Sequence, residues 1–226
     1  MGSRAEMKSP DLMLFAKQPV AGQVKTRLQS DYAPLQVVEI AAFLIRASVQ
    51  LASSSWPSEI YLYGAPDADH ALFQELVRDF HIHLASQAPG DLGQKMLQAM
   101  HQGIARSGAA GILGCDVPHC PWEIIEQAHE HLASGRYVLG PAEDGGYYFI
   151  GLQQAHAALF EGIVWGNNRV AEVTLSRARH LGINFEMLPV LNDIDTTEDL
   201  WFAAQGFEPL RTFLYGLLAQ QPSEQP

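Results

Sequence analysis

Lys17, Lys25 and Arg27 crowd into one turn that follows the apolar run Leu12 to Ala16, with Gly22 between them. Such a turn can grip phosphate, because its side chains carry positive charge and a residue without Cβ lets backbone amides close on an anion. A Walker A loop would use Lys25 and Thr26 as its Lys-Ser/Thr pair, but its two glycines would fall on Pro19 and Val24. That motif is excluded, which leaves a phosphate-binding turn or a solvated basic loop.

Carboxylates collect at two other points. Gly111 to Pro118 reads as an apolar strand ending on Asp116, which should face a ligand crevice. Hard cations such as Mg²⁺ or Mn²⁺ take one or two carboxylates together with phosphate and water, so Asp116 is a candidate ligand. A cap on the helix beginning near Pro121 would also explain it. Near the C-terminus Asp193 and Asp195 alternate along an extended segment and should point the same way, so that one of them completes the cation's shell. Thr196 and Asp199 have the spacing of a helix-start cap. Cys115 and His119 flank Asp116, where a buried thiol and a loop histidine are better readings than zinc ligands.

Three further segments offer polar groups. Asp144-Gly145-Gly146-Tyr147 turns between two strands; the glycines admit a ligand close to the backbone and Asp144 can accept a proton from an acceptor hydroxyl. A hairpin using Asp-Gly for its turn geometry is the alternative. Gln87 to Gly93 opens a helix, so Gln87 and Asp91 can read a base or ribose, or Asp91 is simply the N-cap. Trp165 to Arg169 offers an aromatic face, two amides and a guanidinium to an acceptor, unless Trp165 is packed in the core.

The chain has 226 residues, 25 acidic against 14 basic, for a net charge of -11. That balance argues against a nucleic-acid partner, which would require broad phosphate neutralisation. The only lysines are Lys8, Lys17, Lys25 and Lys95, so phosphate handling falls to the N-terminal half and the presumed acceptor half is left with arginine. Cys115 and Cys120 form neither a zinc pattern nor a disulfide framework, which suits reduced thiols in the cytoplasm. No apolar run is expected to reach membrane-spanning length, and the start lacks a signal peptide's hydrophobic centre.

These groups need a scaffold. Strands are predicted at 11–16, 58–64, 80–85, 110–115, 136–141, 146–152 and 183–190, and helices at 34–52, 68–79, 92–106, 121–133, 168–181, 197–205 and 207–219. The βαβ rhythm implies a mainly parallel sheet covered on both faces, with ligands beyond the carboxyl ends of its strands. One domain over 1–226 is expected, with polar tails at 1–8 and 220–226.

The motifs FAKQPVAGQVKTRL, GDLGQKM, GCDVP, LGPAEDGGYYFIGL, VWGNNRV and NDIDTTEDL, in this order, together resemble the bacterial nucleotide-diphospho-sugar transferase-like family that includes glycosyltransferases of the arsenosugar-biosynthesis type. VKTRL is more distantly similar to 2-phospholactate guanylyltransferases. The resemblance spans nearly the whole chain. It implies the GT-A fold, a three-layer α/β/α sandwich with a mixed sheet. It further implies that Lys25 and Arg27 bind the phosphates, Asp91 and its loop the nucleoside, and Asp116 with Asp193 or Asp195 the metal. Joined to the residue readings above, the expected sites are a nucleotide site at Ala16, Lys17, Gly22, Lys25, Arg27, Gln87, Asp91 and Leu92, catalytic groups at Lys25 and Asp144, and an acceptor site at Gly145, Gly146, Tyr147, Trp165 and Arg169. The chain departs from the family pattern at Ala21, at Val117 and His119-Cys120, and at Gly166-Asn167-Asn168.

Two reactions suit such a site. A glycosyltransferase would bind a nucleotide sugar and a small hydroxylated acceptor; a nucleotidyltransferase would bind a nucleoside triphosphate and a phosphorylated acceptor, releasing pyrophosphate. The lysine-free acceptor half favours the first, with a neutral acceptor. A non-catalytic nucleotide- or sugar-binding module is the reading from another class.

Overall fold

Residues 9–219 are described by the computed structural model, so the two expected tails lie outside the described residues. The strands are β1 (Asp11–Lys17), β2 (Ile60–Ala65), β3 (His83–Ser86), β4 (Ala110–Gly114), β5 (Tyr137–Pro141), β6 (Tyr147–Leu152) and β7 (Phe185–Met187). They form one sheet in the order β3-β2-β1-β4-β6-β5-β7, in which β6 alone runs against its two neighbours. The helices are α1 (Pro34–Ser55), α2 (Ala71–Phe80), α3 (Leu92–Ser107), α4 (Trp122–Ala133), α5 (Val170–His180), α6 (Thr197–Gly206) and α7 (Glu208–Ala219).

The alternation of β1 explains the layering. Leu12, Leu14 and Ala16 pack with α1, α2 and α4 on one face, while Met13 packs with α3 and α5 on the other. Helices α6 and α7 add to the outer side of α1, through Leu200, Leu210 and Leu214 against Val37, Ile40 and Leu44. This double contact corrects one expectation. Helix α1, at 22 residues, is long and apolar enough to cross a membrane by length and composition, because it is buried between the sheet and two further helices. At the far end of the sheet the buried Asp11 carboxylate accepts from Arg106 Nε at 2.7 Å. That pair ties the last turn of α3 to β1 and so fixes where its first turn emerges at the other end.

Several boundaries shift by two or three residues, β3 beginning at His83 rather than 80 because α2 runs to Phe80, and two differences bear on the crevice. Strand β7 stops at Met187 rather than 190: Leu188 N still donates to Leu139 O at 2.9 Å, but Pro189 has no N–H to continue the ladder. The basic turn also contains a short 3-10 helix, Thr26–Ser30. Between β1 and β4 the chain order reverses direction across the sheet, which makes a crevice beyond their carboxyl ends.

Gly64 stands near the end of β2, against α2. A Cβ there would stand 2.6 Å from Asp67 O and 2.7 Å from the Phe73 ring. Gly64→Ala is expected to lower stability by about 1–3 kcal/mol, checked by urea unfolding; an unchanged midpoint would contradict this packing.

Candidate active site

A cavity of about 610 Å³ opens at the carboxyl edge of the sheet. Its lining comes from successive loops: Ala16 and Lys17 after β1, Gln87 after β3, Asp116 after β4, Asp144 and Gly146 after β5, and Asp193 after β7. Distant segments of the sequence therefore meet because strand ends meet.

Lys25 is the centre of this convergence. Its ammonium lies 2.5 Å from Asp116 Oδ1 and 3.0 Å from Asp195 Oδ1, and donates to Ile194 O at 2.6 Å. The side chain is only 10% exposed. Burial opposes its charge, but the carboxylates of Asp116 and Asp195 outweigh that and raise its pKa above the usual lysine value. Its backbone is left-handed, with φ 42°, a conformation costly for a residue with Cβ and held here by the three contacts. Arg27 lies farther out, 3.7 Å from Asp195 Oδ2 and 73% exposed. Lys17 bends back to donate to Gln23 O at 2.6 Å. Gly22 has φ 77° with nothing near its Cβ position.

The C-terminal segment is strapped over the crevice. Leu191 N donates to Pro141 O at 3.2 Å, Glu143 N to Leu191 O at 3.0 Å, and Ile194 N to Asp116 O at 2.9 Å. Asp193 and Asp195 consequently do different things, contrary to the equivalence their alternation implied. Asp193 lines the large cavity, while Asp195 lines a smaller one of about 280 Å³ behind the basic turn. Asp193 Oδ1 is buried without a hydrogen-bond partner. Burial, then the nearby Asp116, Asp144 and Asp195 charges, push its pKa up to about 7.

Several proposed residues show the alternatives weighed from sequence. Asp91 accepts from Gln94 N at 2.9 Å as the N-cap of α3 and does not line the cavity, whereas Leu92 does. Asp144 accepts from Gly146 N at 2.7 Å, a turn contact, and also lines the cavity. Gly145 presses on the Asn168 backbone, 2.1 Å from where its Cβ would be, so its missing side chain admits a loop and not a ligand. Arg169 is corrected more fully: its guanidinium forms two hydrogen bonds to Glu172 at 2.9 and 3.1 Å and lies outside the cavity lining. Thr196 and Asp199 form the expected capping box of α6, while α4 starts without a side-chain cap, so Asp116 has no capping role. Gln87 Nε2 donates to Tyr63 O at 2.9 Å.

Tyr147 and Trp165 meet edge to face at 6.4 Å and both line the cavity. Burial pushes the Tyr147 phenol pKa up. The sequence reading omitted Lys95 and Met96, which face the same cavity from the first turns of α3. The cavity therefore carries a second lysine besides Lys17. Its signal was available: a lysine within GDLGQKM, on a helix starting at the crevice.

The donors present fit a hard divalent cation. Asp116 and Asp193 offer carboxylate oxygens, one of them without a partner. Hard divalent ions take one or two carboxylates and leave other positions to phosphate and water; among the described residues no group of three His, Cys, Asp or Glu side chains is placed to hold an ion.

The fold is that of the nucleotide-diphospho-sugar transferase class. A crystal structure from Desulfovibrio desulfuricans G20, provisionally assigned as a nucleotide-diphospho-sugar transferase, matches with 28% identity, 95% of each chain and a TM-score of 0.77. The 4-diphosphocytidyl-2C-methyl-D-erythritol synthase of Anaerococcus prevotii DSM 20548 shares the fold at 9% identity, covering 90% of this chain and 98% of that one, TM-score 0.58. So does Rv0371C of Mycobacterium tuberculosis H37Rv in complex with manganese, at 10% identity, 88% and 100% coverage, TM-score 0.52. The chain belongs to the family described as "Uncharacterized protein conserved in bacteria (DUF2064)", whose model matches residues 48–167. No curated protein matches the sequence.

Lys25→Ala should lower stability by about 1.5–3 kcal/mol, and Asp195→Asn by less, since Lys25 would keep Asp116 and Ile194 O. Because the folded-state pKa of Lys25 is raised, its contribution is fully present below the ordinary value of 10.5 and is lost only as pH rises through the higher folded value. Urea unfolding at pH 7 checks both variants; equal stability of Lys25→Ala and wild type would contradict the clamp.

Proposed function

We propose that the protein is a metal-assisted transferase using a nucleotide-activated substrate, and that it moves a sugar from a nucleotide-diphospho-sugar to a hydroxyl of a small acceptor. The observation that carries this reading is the approach of Asp116, Asp144 and Asp193 to one cavity beside the Lys17–Arg27 turn. The similarity to the Desulfovibrio protein supports it. Mg²⁺ or Mn²⁺ at Asp116 and Asp193 would neutralise charge on a departing diphosphate. Lys25 orients Asp116 and leaves Asp195 occupied, so Asp193 is the better second ligand. Lys17 and Arg27 meet the diphosphate from the turn. Asp144 is the candidate base toward the acceptor hydroxyl, and Tyr147 and Trp165 form the acceptor wall. Cys115 and Cys120 are free and buried, in keeping with a cytoplasmic location.

Nucleotidyl transfer is the second reading. Lys95 favours it, since a cation on the cavity wall offers a phosphorylated acceptor the clamp that the sequence reading found missing. Incubation with nucleotide sugars and Mn²⁺ separates the cases. Release of nucleoside diphosphate supports sugar transfer, pyrophosphate release from a triphosphate with a sugar phosphate supports nucleotidyl transfer, and binding without turnover leaves a binding module.

Asp116→Ala should weaken Mn²⁺-dependent nucleotide binding by about tenfold or more with the fold retained, because losing even an outer-shell partner of a metal costs 10–100-fold. Calorimetric titration with and without Mn²⁺ measures this, and unchanged affinity would remove Asp116 from the metal site.

A further inference from the structure

Lys95 lines the cavity, yet makes no hydrogen bond or ion pair through its side chain among the described residues. The other cations near the crevice have acceptors: Lys17 has Gln23 O, Lys25 has Asp116, Asp195 and Ile194 O, and Arg27 has Asp195. Local structure does not account for Lys95 either. Asp91 stands four residues earlier, where an acid commonly pairs with a lysine, but its carboxylate caps Gln94 N at 2.9 Å. A cation in the first turn also opposes the positive end of the helix dipole. The residue is half-buried, so it is not a freely solvated surface lysine.

Lys95 shares the cavity lining with Tyr147 and Trp165, and residues beside it on α3 touch both rings. Gly93 lies against Trp165, whose ring would be 2.9 Å from a Cβ there, and Met96 Sδ is 4.0 Å from the Tyr147 hydroxyl. The turn carrying Lys95 is thus pressed against Trp165 and Tyr147, which line the same cavity and to which the proposed function gives the acceptor. We infer that the second substrate carries an anionic oxygen group, a carboxylate or phosphate, which Lys95 receives. This rests on the transferase reading and replaces the neutral acceptor expected from sequence.

Inorganic phosphate, and separately acetate, are titrated into the full chain and its Lys95→Ala and Lys95→Arg forms while the Trp165 indole N–H resonance is followed by NMR. That resonance is assigned by its loss in Trp165→Phe. A saturable shift with at least one anion is expected in wild type, retained in Lys95→Arg and weakened about tenfold or more in Lys95→Ala. Equal affinity in Lys95→Ala, or no saturable shift in wild type, overturns the inference. The four common ribonucleoside diphosphates with Mn²⁺ are titrated in parallel to identify the source of the anion. If Lys95→Ala weakens their binding by a similar factor, Lys95 serves the donor diphosphate and the inference is wrong; unchanged nucleotide affinity supports it. Should no nucleotide bind wild type, the transferase reading fails, and the phosphate and acetate titrations still decide whether Lys95 receives an anion.

Discussion

One ammonium group holds three loops together. Lys25 comes from the turn after β1, Asp116 from the loop after β4, and Asp195 and Ile194 from the strap after β7. A lysine buried to this degree would shed its proton unless opposite charge were close, and two carboxylates are. The same contacts hold its left-handed backbone, and hence the course of the turn that bears Lys17 and Arg27. Removing the ammonium would leave the strap tied to the sheet and would take from the basic turn its buried ionic contact with the strap, leaving the longer Arg27–Asp195 pair and the packing of Leu28 with Ile194.

The crevice remains rich in negative charge even so. Asp193 is crowded by Asp116, Asp144 and Asp195, and its raised pKa records both its burial and their repulsion. On the proposed reading, a divalent cation relieves this crowding on one side while the basic turn receives the diphosphate on the other. In a chain with a net charge of -11, positive charge at the crevice is local and comes from a few placed side chains.

The layered fold was legible because periodicity is a local signal. The apolar run of β1 and the helical spacing in α1 are written in adjacent residues, and both elements formed where expected. The crevice was legible for a topological reason, since strands of a mainly parallel sheet deliver their loops to one edge. What sequence could not supply was pairing across that edge. Asp193 and Asp195 look alike as a spaced pair, and only the strap's contacts with Pro141, Asp116 and Lys25 send them to different cavities. Arg169 was drawn away by Glu172, three residues on, and Lys95 was overlooked because the lysine count was made along the chain and not across the cavity.

The central claim is that Asp116 and Asp193 share a cation with a diphosphate held beside the Lys25 turn. Crystals soaked with Mn²⁺ and a nucleoside diphosphate, measured at the manganese absorption edge, address it directly. The account predicts an anomalous peak between the Asp116 and Asp193 carboxylates in contact with diphosphate oxygens. A bound nucleotide with its manganese elsewhere, or a nucleotide that binds away from these two aspartates, would contradict it.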